Sequence, residues 1–129
     1  MKEPIWLKSQ HILAIQEALL AQFGGLAGIR DMGLLESALA RPQQLFAYGK
    51  PTIVELAASY AHGIAKNHPF LDGNKRAAFM AAYTFLGANG LELVASEVDA
   101  VVRTFGLAAG DVSETEFAAW LEANTEKSK

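Results

Sequence analysis

With 129 residues, the chain is long enough to bury a core, and we expect residues 1–129 to form one domain. Acidic residues outnumber basic ones, 14 to 11, for a formal charge of −3, so a non-specific nucleic-acid binder is disfavoured. The chain has no cysteine, which excludes disulfides and thiolate metal sites and fits a reducing compartment. No stretch resembles a signal peptide or reaches membrane-spanning length, so we expect a cytoplasmic protein with no membrane partner.

The first third of the chain predicts two helices. Ser9 can cap a helix that runs to about Phe23, because apolar residues recur there at helical spacing. The glycines at 24 and 25 end it, and residues 28–33 form a loop. A second helix follows through residues 34–39, and Pro42 should end or bend it, because proline lacks the N–H that an inner helical turn needs.

The middle of the chain predicts a central helix pair. Thr52 and Glu55 have the spacing of a capping box, which opens a third helix. The fourth helix runs from about Asn74 to Ala88 and carries alanines that allow close packing against its neighbours. Asn89 and the glycine after it end this helix, since both residues tolerate left-handed backbone.

The last third predicts two more helices. Residues 91–95 form a brief connection, and capping sequences at Ser96 and Ser113 then open the fifth and sixth helices. The tail from Thr125 is polar and should fray. No strand pattern is long enough to build a sheet. The sequence therefore predicts an all-α bundle of about six helices.

A polar stretch, Asn67–Arg76, interrupts the apolar helices at the centre of the chain. Pro69 ends the helix before it, and the next helix starts within it. A helix N-terminus presents free N–H groups and the positive end of the helix dipole, and both favour a phosphate. Gly73 lets the backbone come close, while Lys75 and Arg76 add positive charge. The stretch therefore predicts an anion-binding loop.

Two further side chains in this loop can act as a proton acceptor and as a metal ligand. The His68 imidazole can accept a proton, because histidine side chains titrate near neutral pH, and the Asp72 carboxylate can hold Mg²⁺. Together with the phosphate cradle, they predict a phosphoryl- or nucleotidyl-transfer site. On composition alone, the same residues could form only a turn between helices, since Pro, Asp, Gly and Asn are common turn formers.

The order of these residues, His-x-Phe-x-Asp-Gly-Asn-Lys-Arg from His68 to Arg76, resembles the signature loop of the Fic/Doc superfamily. The likeness continues through residues 24–42 and 85–90 and into 107–121, so it covers essentially the whole chain. These segments look like death-on-curing (Doc) toxins, which are the toxin halves of toxin–antitoxin pairs. The resemblance implies a helical protein of the Fic/Doc fold that uses ATP together with Mg²⁺.

One departure within the loop bears on the reaction. Fic proteins that transfer AMP have glycine where this chain has Lys75, and a second arginine where it has Phe79. Doc toxins share the Asn-Lys-Arg form. The resemblance then implies that ATP binds in an inverted pose, and that its γ-phosphate goes to a threonine of elongation factor Tu, which arrests translation. AMP transfer to a protein hydroxyl remains an alternative, as does a helical binding module without catalysis.

The resemblance assigns roles to six residues of the loop. His68 is the expected general base, and Asp72 the expected Mg²⁺ ligand. The groups that hold phosphate and stabilise the transition state are Gly73, Asn74, Lys75 and Arg76. Structural alternatives stay open: a helix C-cap for His68, an N-cap for Asp72 and an ion pair for Arg76.

The final expectation concerns control of the activity. Many Fic proteins carry an inhibitory helix with a Ser/Thr-x-x-x-Glu-Gly/Asn pattern, and this chain has none. The resemblance therefore implies a Phd-like antitoxin that inhibits in trans, with a C-terminal segment that folds as a helix into a groove on the toxin.

Overall fold

The computed structural model describes residues 2–128, in which six helices surround one apolar core. The elements in chain order are α1 (Ser9–Phe23), α2 (Met32–Tyr48), α3 (Ile53–Asn67), α4 (Asn74–Ala88), β1 (Leu91–Leu93), α5 (Glu97–Ala109), α6 (Glu114–Ala123) and β2 (Thr125–Lys127). The prediction of an all-α bundle of about six helices is confirmed. Across residues 2–128, no helix combines the length and apolar character needed to cross a bilayer.

Helices α3 and α4 form the central pair. Helix α3 packs against α2, α4, α5 and α6, and most of its residues are buried, while α4 packs against α1, α3, α5 and β1. Small side chains make this packing close. A Cβ added at Gly63 of α3 would lie 3.2 Å from both Cα and Cβ of Ala38 in α2. The loop that joins α3 to α4 is therefore held between the two most enclosed helices.

Tyr60 of α3 ties the N-terminal segment to this core. Its fully buried ring lies 5.0 Å, centroid to centroid, from that of Phe85. Its hydroxyl accepts a hydrogen bond from the Leu7 N–H at 3.1 Å. Burial raises the pKa of this hydroxyl to about 12, because the phenolate is poorly solvated in the core.

The predicted caps of α3, α5 and α6 are confirmed, and that of α1 is wrong. Thr52 and Glu55 bond reciprocally at the start of α3, and the side chains of Ser96 and Ser113 cap the other two helices. In α1, Ser9 is the first helical residue, so the capping position falls one residue earlier. The N–H of that residue, Lys8, instead donates to Nδ1 of His11 at 3.0 Å.

Helix α2 is longer at both ends than the sequence predicted. It begins at Met32, after Asp31 accepts the Leu34 N–H at 3.0 Å. Of the two outcomes expected at Pro42, an end or a bend, the end is wrong, because the helix continues to Tyr48. Pro42 is itself buried, so its apolar contacts offset the cost of a proline inside a helix, about 3 kcal/mol.

The C-terminal tail is an ordered strand up to Lys127, which corrects that part of the prediction that it frays, while residue 129 lies outside the described residues. Residues 125–127 pair antiparallel with residues 91–93, which had been predicted as a plain connection. Leu93 is buried, and its strand presents unpaired backbone groups that the tail satisfies. Strands of three residues are too short to show an alternating pattern, so the sequence carried no signal for them.

Candidate active site

The residues of the predicted loop begin at the C-terminus of α3, where His68 is the C-cap. Its backbone is left-handed, with φ 50° and ψ 56°, and its N–H donates to the Ile64 carbonyl at 3.2 Å. Arg30 holds this turn from outside, because its Nε donates to the His68 carbonyl and its Nη2 to the Asn67 carbonyl, both at 2.6 Å. The capping role and an exposed imidazole therefore coexist in His68.

The α1–α2 loop, residues 24–31, runs alongside the signature loop as a strap. Three backbone hydrogen bonds join the two: the N–H groups of Arg30 and Asp31 both donate to the Pro69 carbonyl, at 2.7 and 3.1 Å, and the Leu71 N–H donates to the Gly28 carbonyl at 3.1 Å. Ile29 and Phe70 thereby form an isolated antiparallel bridge. The strap supplies hydrogen bonds that a loop between two helices would otherwise lack. The main chain of the loop is thus fixed by residues about 40 positions earlier.

Asn74, the first residue of α4, holds the loop from inside. Its buried amide accepts from the Phe70 N–H and donates to the Phe70 carbonyl, both at 3.0 Å. These two bonds fix the orientation of the amide, so Nδ2 faces Nδ1 of His68 at 3.2 Å. In this arrangement, Nδ1 accepts the bond and a neutral imidazole carries its proton on Nε2.

Asp72 is held at the mouth of α4 by three groups. Its carboxylate accepts the Gly73 N–H at 2.8 Å and the Leu26 N–H at 3.2 Å, and its carbonyl accepts Nε2 of Gln16 at 2.5 Å. Gly73 is the N-cap of α4, with a left-handed backbone and no side-chain cap, so the first N–H groups of the helix remain available to an anion.

Gln16 is a site residue that the sequence analysis missed. It is only 4% exposed, and its Oε1 has no hydrogen-bond partner among residues 2–128. It lies one helical turn after Ile12, on the face of α1 that should be apolar. A polar residue on that face was the signal that could have identified it.

The two cations of the loop lie over aromatic rings. Nζ of Lys75 is 4.8 Å from the ring centroid of Phe105 in α5, and Cζ of Arg76 is 4.2 Å from that of Phe23 in α1. Within residues 2–128, neither cation forms a salt bridge. The carboxylate pairing considered for Arg76 is therefore absent from that part of the chain.

These groups open into one cavity of about 360 Å³. Its lining residues are His68, Leu71, Asp72, Gly73, Asn74, Lys75, Arg76, Val101 and Phe105. Every residue that the sequence assigned to the site is in this set. The apolar wall from α5 was not predicted, because no sequence pattern connects α5 to a loop some 30 residues earlier.

The donor groups fit a magnesium ion that arrives with phosphate. Residues 2–128 contain no cluster of three His, Cys, Asp or Glu side chains that could bind a metal alone. Asp72, however, faces the cavity, and each of its two oxygens accepts only one N–H and keeps a free lone pair. Mg²⁺ is commonly held by one or two carboxylates together with substrate phosphates and water.

Comparisons with known proteins identify the family of the chain. The family model described as Fic/DOC family matches residues 6–86. The chain is 47% identical over 76 residues to "Toxin Doc" of Mycolicibacterium smegmatis (strain ATCC 700084 / mc(2)155), a match that covers 57% of this chain and 58% of that protein. It is 34% identical over 108 residues to "Protein kinase doc" of Escherichia phage P1, covering 83% of this chain and 85% of that protein. The chain therefore belongs to the Fic/Doc family.

Proposed function

We propose that this protein is the toxin of a toxin–antitoxin pair and acts in the cytoplasm as a protein kinase. Its reaction moves the γ-phosphate of ATP to a threonine hydroxyl of elongation factor Tu, which arrests translation. The observation that carries the proposal is the cavity of about 360 Å³, where the His68 imidazole faces the open N-terminus of α4 with Lys75 and Arg76. A relative that matches 83% of the chain is named a protein kinase, which supports the same reaction class.

In the proposed reaction, the substrate hydroxyl oxygen forms a bond to the γ-phosphorus, and the bond from that phosphorus to the bridging oxygen of ADP breaks. His68 takes the hydroxyl proton. Because Nδ1 is engaged with Asn74 at 3.2 Å, the imidazole must turn to present an unprotonated nitrogen, and its exposed position leaves room for this. A base placed in this way contributes about 10²–10⁴-fold in rate.

The remaining groups of the site act on the phosphates. The N–H groups of the first turn of α4, together with Lys75 and Arg76, stabilise the charge that spreads over the phosphate oxygens in the transition state. Asp72 would hold Mg²⁺, which supplies further charge neutralisation when bound. Asn74 keeps its amide on the main chain of Phe70, so its main part is to position the loop.

Phosphate transfer is favoured over AMP transfer by Phe79, which lies one helical turn beyond Arg76. Its ring packs against the apolar core and lies 6.2 Å, centroid to centroid, from that of Tyr83. A second phosphate-binding cation is thus missing along α4, while Lys75 adds one at the loop. This redistribution of positive charge supports a different ATP pose from that of AMP-transferring relatives.

The second partner in the proposal is a Phd-like antitoxin that inhibits in trans. An apolar stripe with helical spacing on α5 is left exposed beside the cavity; it consists of Val98, Val101, Val102 and Phe105. An amphipathic helix could cover this stripe and the cavity mouth together. Recovery of active wild-type protein in quantity from a sensitive host without any partner would contradict this part of the proposal.

The decisive experiment incubates purified elongation factor Tu with ATP, Mg²⁺ and either wild-type protein or His68→Asn, and reads the product by intact-mass spectrometry. Asparagine is the matched replacement, because it tolerates the left-handed backbone at this position but cannot act as a base. We expect one added phosphate with wild-type protein and none with the variant. A gain of AMP would replace the proposed reaction with adenylyl transfer, and no change with either protein would reject this target.

A further inference from the structure

Two large aromatic side chains beside the cavity are only half-buried. Phe23, the last residue of α1, is 51% exposed, and Phe105, in the middle of α5, is 52% exposed. The hydrophobic effect scales with the apolar area removed from water, so rings this exposed add little to the core. Both rings therefore remain accessible to charged side chains beside the cavity.

Each ring supports one cation of the signature loop. Lys75 and Arg76 are successive residues of α4, and successive side chains on a helix point about 100° apart. One neighbour therefore could not hold both. Instead, α5 places the Phe105 ring 4.8 Å from Nζ of Lys75, and α1 places the Phe23 ring 4.2 Å from Cζ of Arg76.

An aromatic face holds a cation without neutralising it. A carboxylate partner would take up N–H donors and cancel the charge that a phosphate needs, whereas a ring attracts the cation through its quadrupole alone. The guanidinium of Arg76 over Phe23 keeps its in-plane N–H donors free. The salt bridges found in residues 2–128 join other residues, so no carboxylate in that part of the chain pairs with either loop cation.

We propose that Phe23 and Phe105 are positioning residues, which hold Arg76 and Lys75 toward the cavity before a nucleoside triphosphate binds. The proposal rests on the function proposed above. It gives the site a phosphate cradle with three supports: the N-terminus of α4, a lysine held by α5 and an arginine held by α1. Without the rings, each long side chain must be ordered by the phosphate itself, and this ordering costs binding free energy.

The variants Phe23→Leu and Phe105→Leu test the proposal, because leucine keeps apolar bulk but has no ring quadrupole. We expect each to weaken MgATP binding by about 2- to 5-fold, the range for an exposed cation–π contact, while Phe23→Tyr and Phe105→Tyr stay close to wild type. Tyr83→Leu, an exposed aromatic further along α4, is the control for a general loss of surface area.

Phe105 lines the cavity, so its loss could also remove a direct contact with ATP. A double-mutant cycle separates the two effects. If Phe105 acts through Lys75, Phe105→Leu weakens MgATP binding in the wild-type background but not in Lys75→Met. The parallel cycle pairs Phe23→Leu with Arg76→Gln. A second readout needs no ligand: NMR ring-current shifts of the Lys75 and Arg76 side-chain protons should vanish in the leucine variants and remain in the tyrosine variants.

The outcomes separate this inference from the function on which it rests. Coupling of 2-fold or more in both cycles, with ring-current shifts lost only in the leucine variants, would support it. Additive effects in the cycles, or tyrosine variants as weak as leucine ones, would overturn the positioning role and leave the kinase proposal standing. If wild-type protein bound no MgATP, the proposed function and this inference would both fail.

Discussion

Replacing Asn74 by alanine tests whether the signature loop is held from inside. The variant removes the amide that accepts the Phe70 N–H and donates to the Phe70 carbonyl. Phe70 is 1% exposed, so its two main-chain groups would be left buried without partners. We therefore expect a large loss of folding stability on replacing Asn74, although the sequence motif assigns this residue to phosphate binding.

The size of the loss follows from those two groups. Each buried main-chain group without a partner costs about 1–3 kcal/mol. The loop borders an open cavity, so water can reach part of the gap, and we take the lower half of the range, about 2–4 kcal/mol in total. Alanine returns about 0.5 kcal/mol through its higher helix propensity. With a total stability of about 5–15 kcal/mol, the variant should remain folded and measurable.

The assay is urea unfolding followed by circular dichroism, and Asn89→Ala is the matched control. Asn89 makes the same reciprocal pair with the main chain of Ile5, at 2.8 and 3.1 Å. Ile5 is 64% exposed, so water can replace those bonds, and we expect a loss of about 1 kcal/mol. If the two alanine variants differed by less than about 0.5 kcal/mol, the reasoning from buried partners would be refuted.

Three further predictions concern helices α3 and α4. Burial lowers the pKa of His62 below its ordinary 6.5, so the unfolded chain binds the proton first as the pH falls. The stabilising contribution is therefore fully present above pH 6.5 and is lost as the pH drops below it. In urea unfolding, the midpoint of His62→Gln should lack this pH dependence. Burial raises the pKa of Tyr60 from 10.0 to about 12, so the unfolded chain loses this proton first and stability falls as the pH rises through that interval. Ultraviolet titration of wild-type protein should show a tyrosine that ionises near pH 12, and this step should be lost in Tyr60→Phe. Gly63→Ala should lower the unfolding free energy by about 1 kcal/mol, because crowding against α2 outweighs the gain in helix propensity. Gly87→Ala has open space around it and should raise the unfolding free energy by up to about 1 kcal/mol. If urea unfolding showed changes of the same sign for both variants, the packing argument would be contradicted.

The helical part of the fold was accessible from sequence, because its signals are local. Thr52 with Glu55 and Ser113 with Glu116 carry their capping chemistry within four residues, and both caps form as predicted. The prediction that α2 ends at Pro42 was wrong because it used only local information. The local cost of this proline is clear from the sequence, but its burial depends on how α2 packs in the fold, which a local pattern does not show. The pairing of Thr125 with Leu93 is likewise a contact between segments far apart in sequence.

In the candidate site, too, the residues that lie close together in sequence were predicted and those that are distant in sequence were not. The loop from His68 to Arg76 was identified as a unit, because its residues are contiguous and each has an evident chemical use. Gln16 and Phe105 reach it only through the tertiary packing of α1 and α5. A single sequence offers no measure of distance between such positions, so the contacts that position the loop appear only in the structure.

The strap formed by residues 24–31 also bears on the order in which the protein can assemble during synthesis. The groups that hold the loop from outside belong to Gln16, Leu26, Gly28 and Arg30, all of which leave the ribosome before the loop does. Chains are synthesised from the N-terminus at about 5–20 residues per second, so these groups have already been made when the loop is synthesised. Phe105 follows some 30 residues later. The contacts that hold the signature loop from outside can therefore form while the cavity still lacks the α5 wall, and synthesis of α5 then adds that wall.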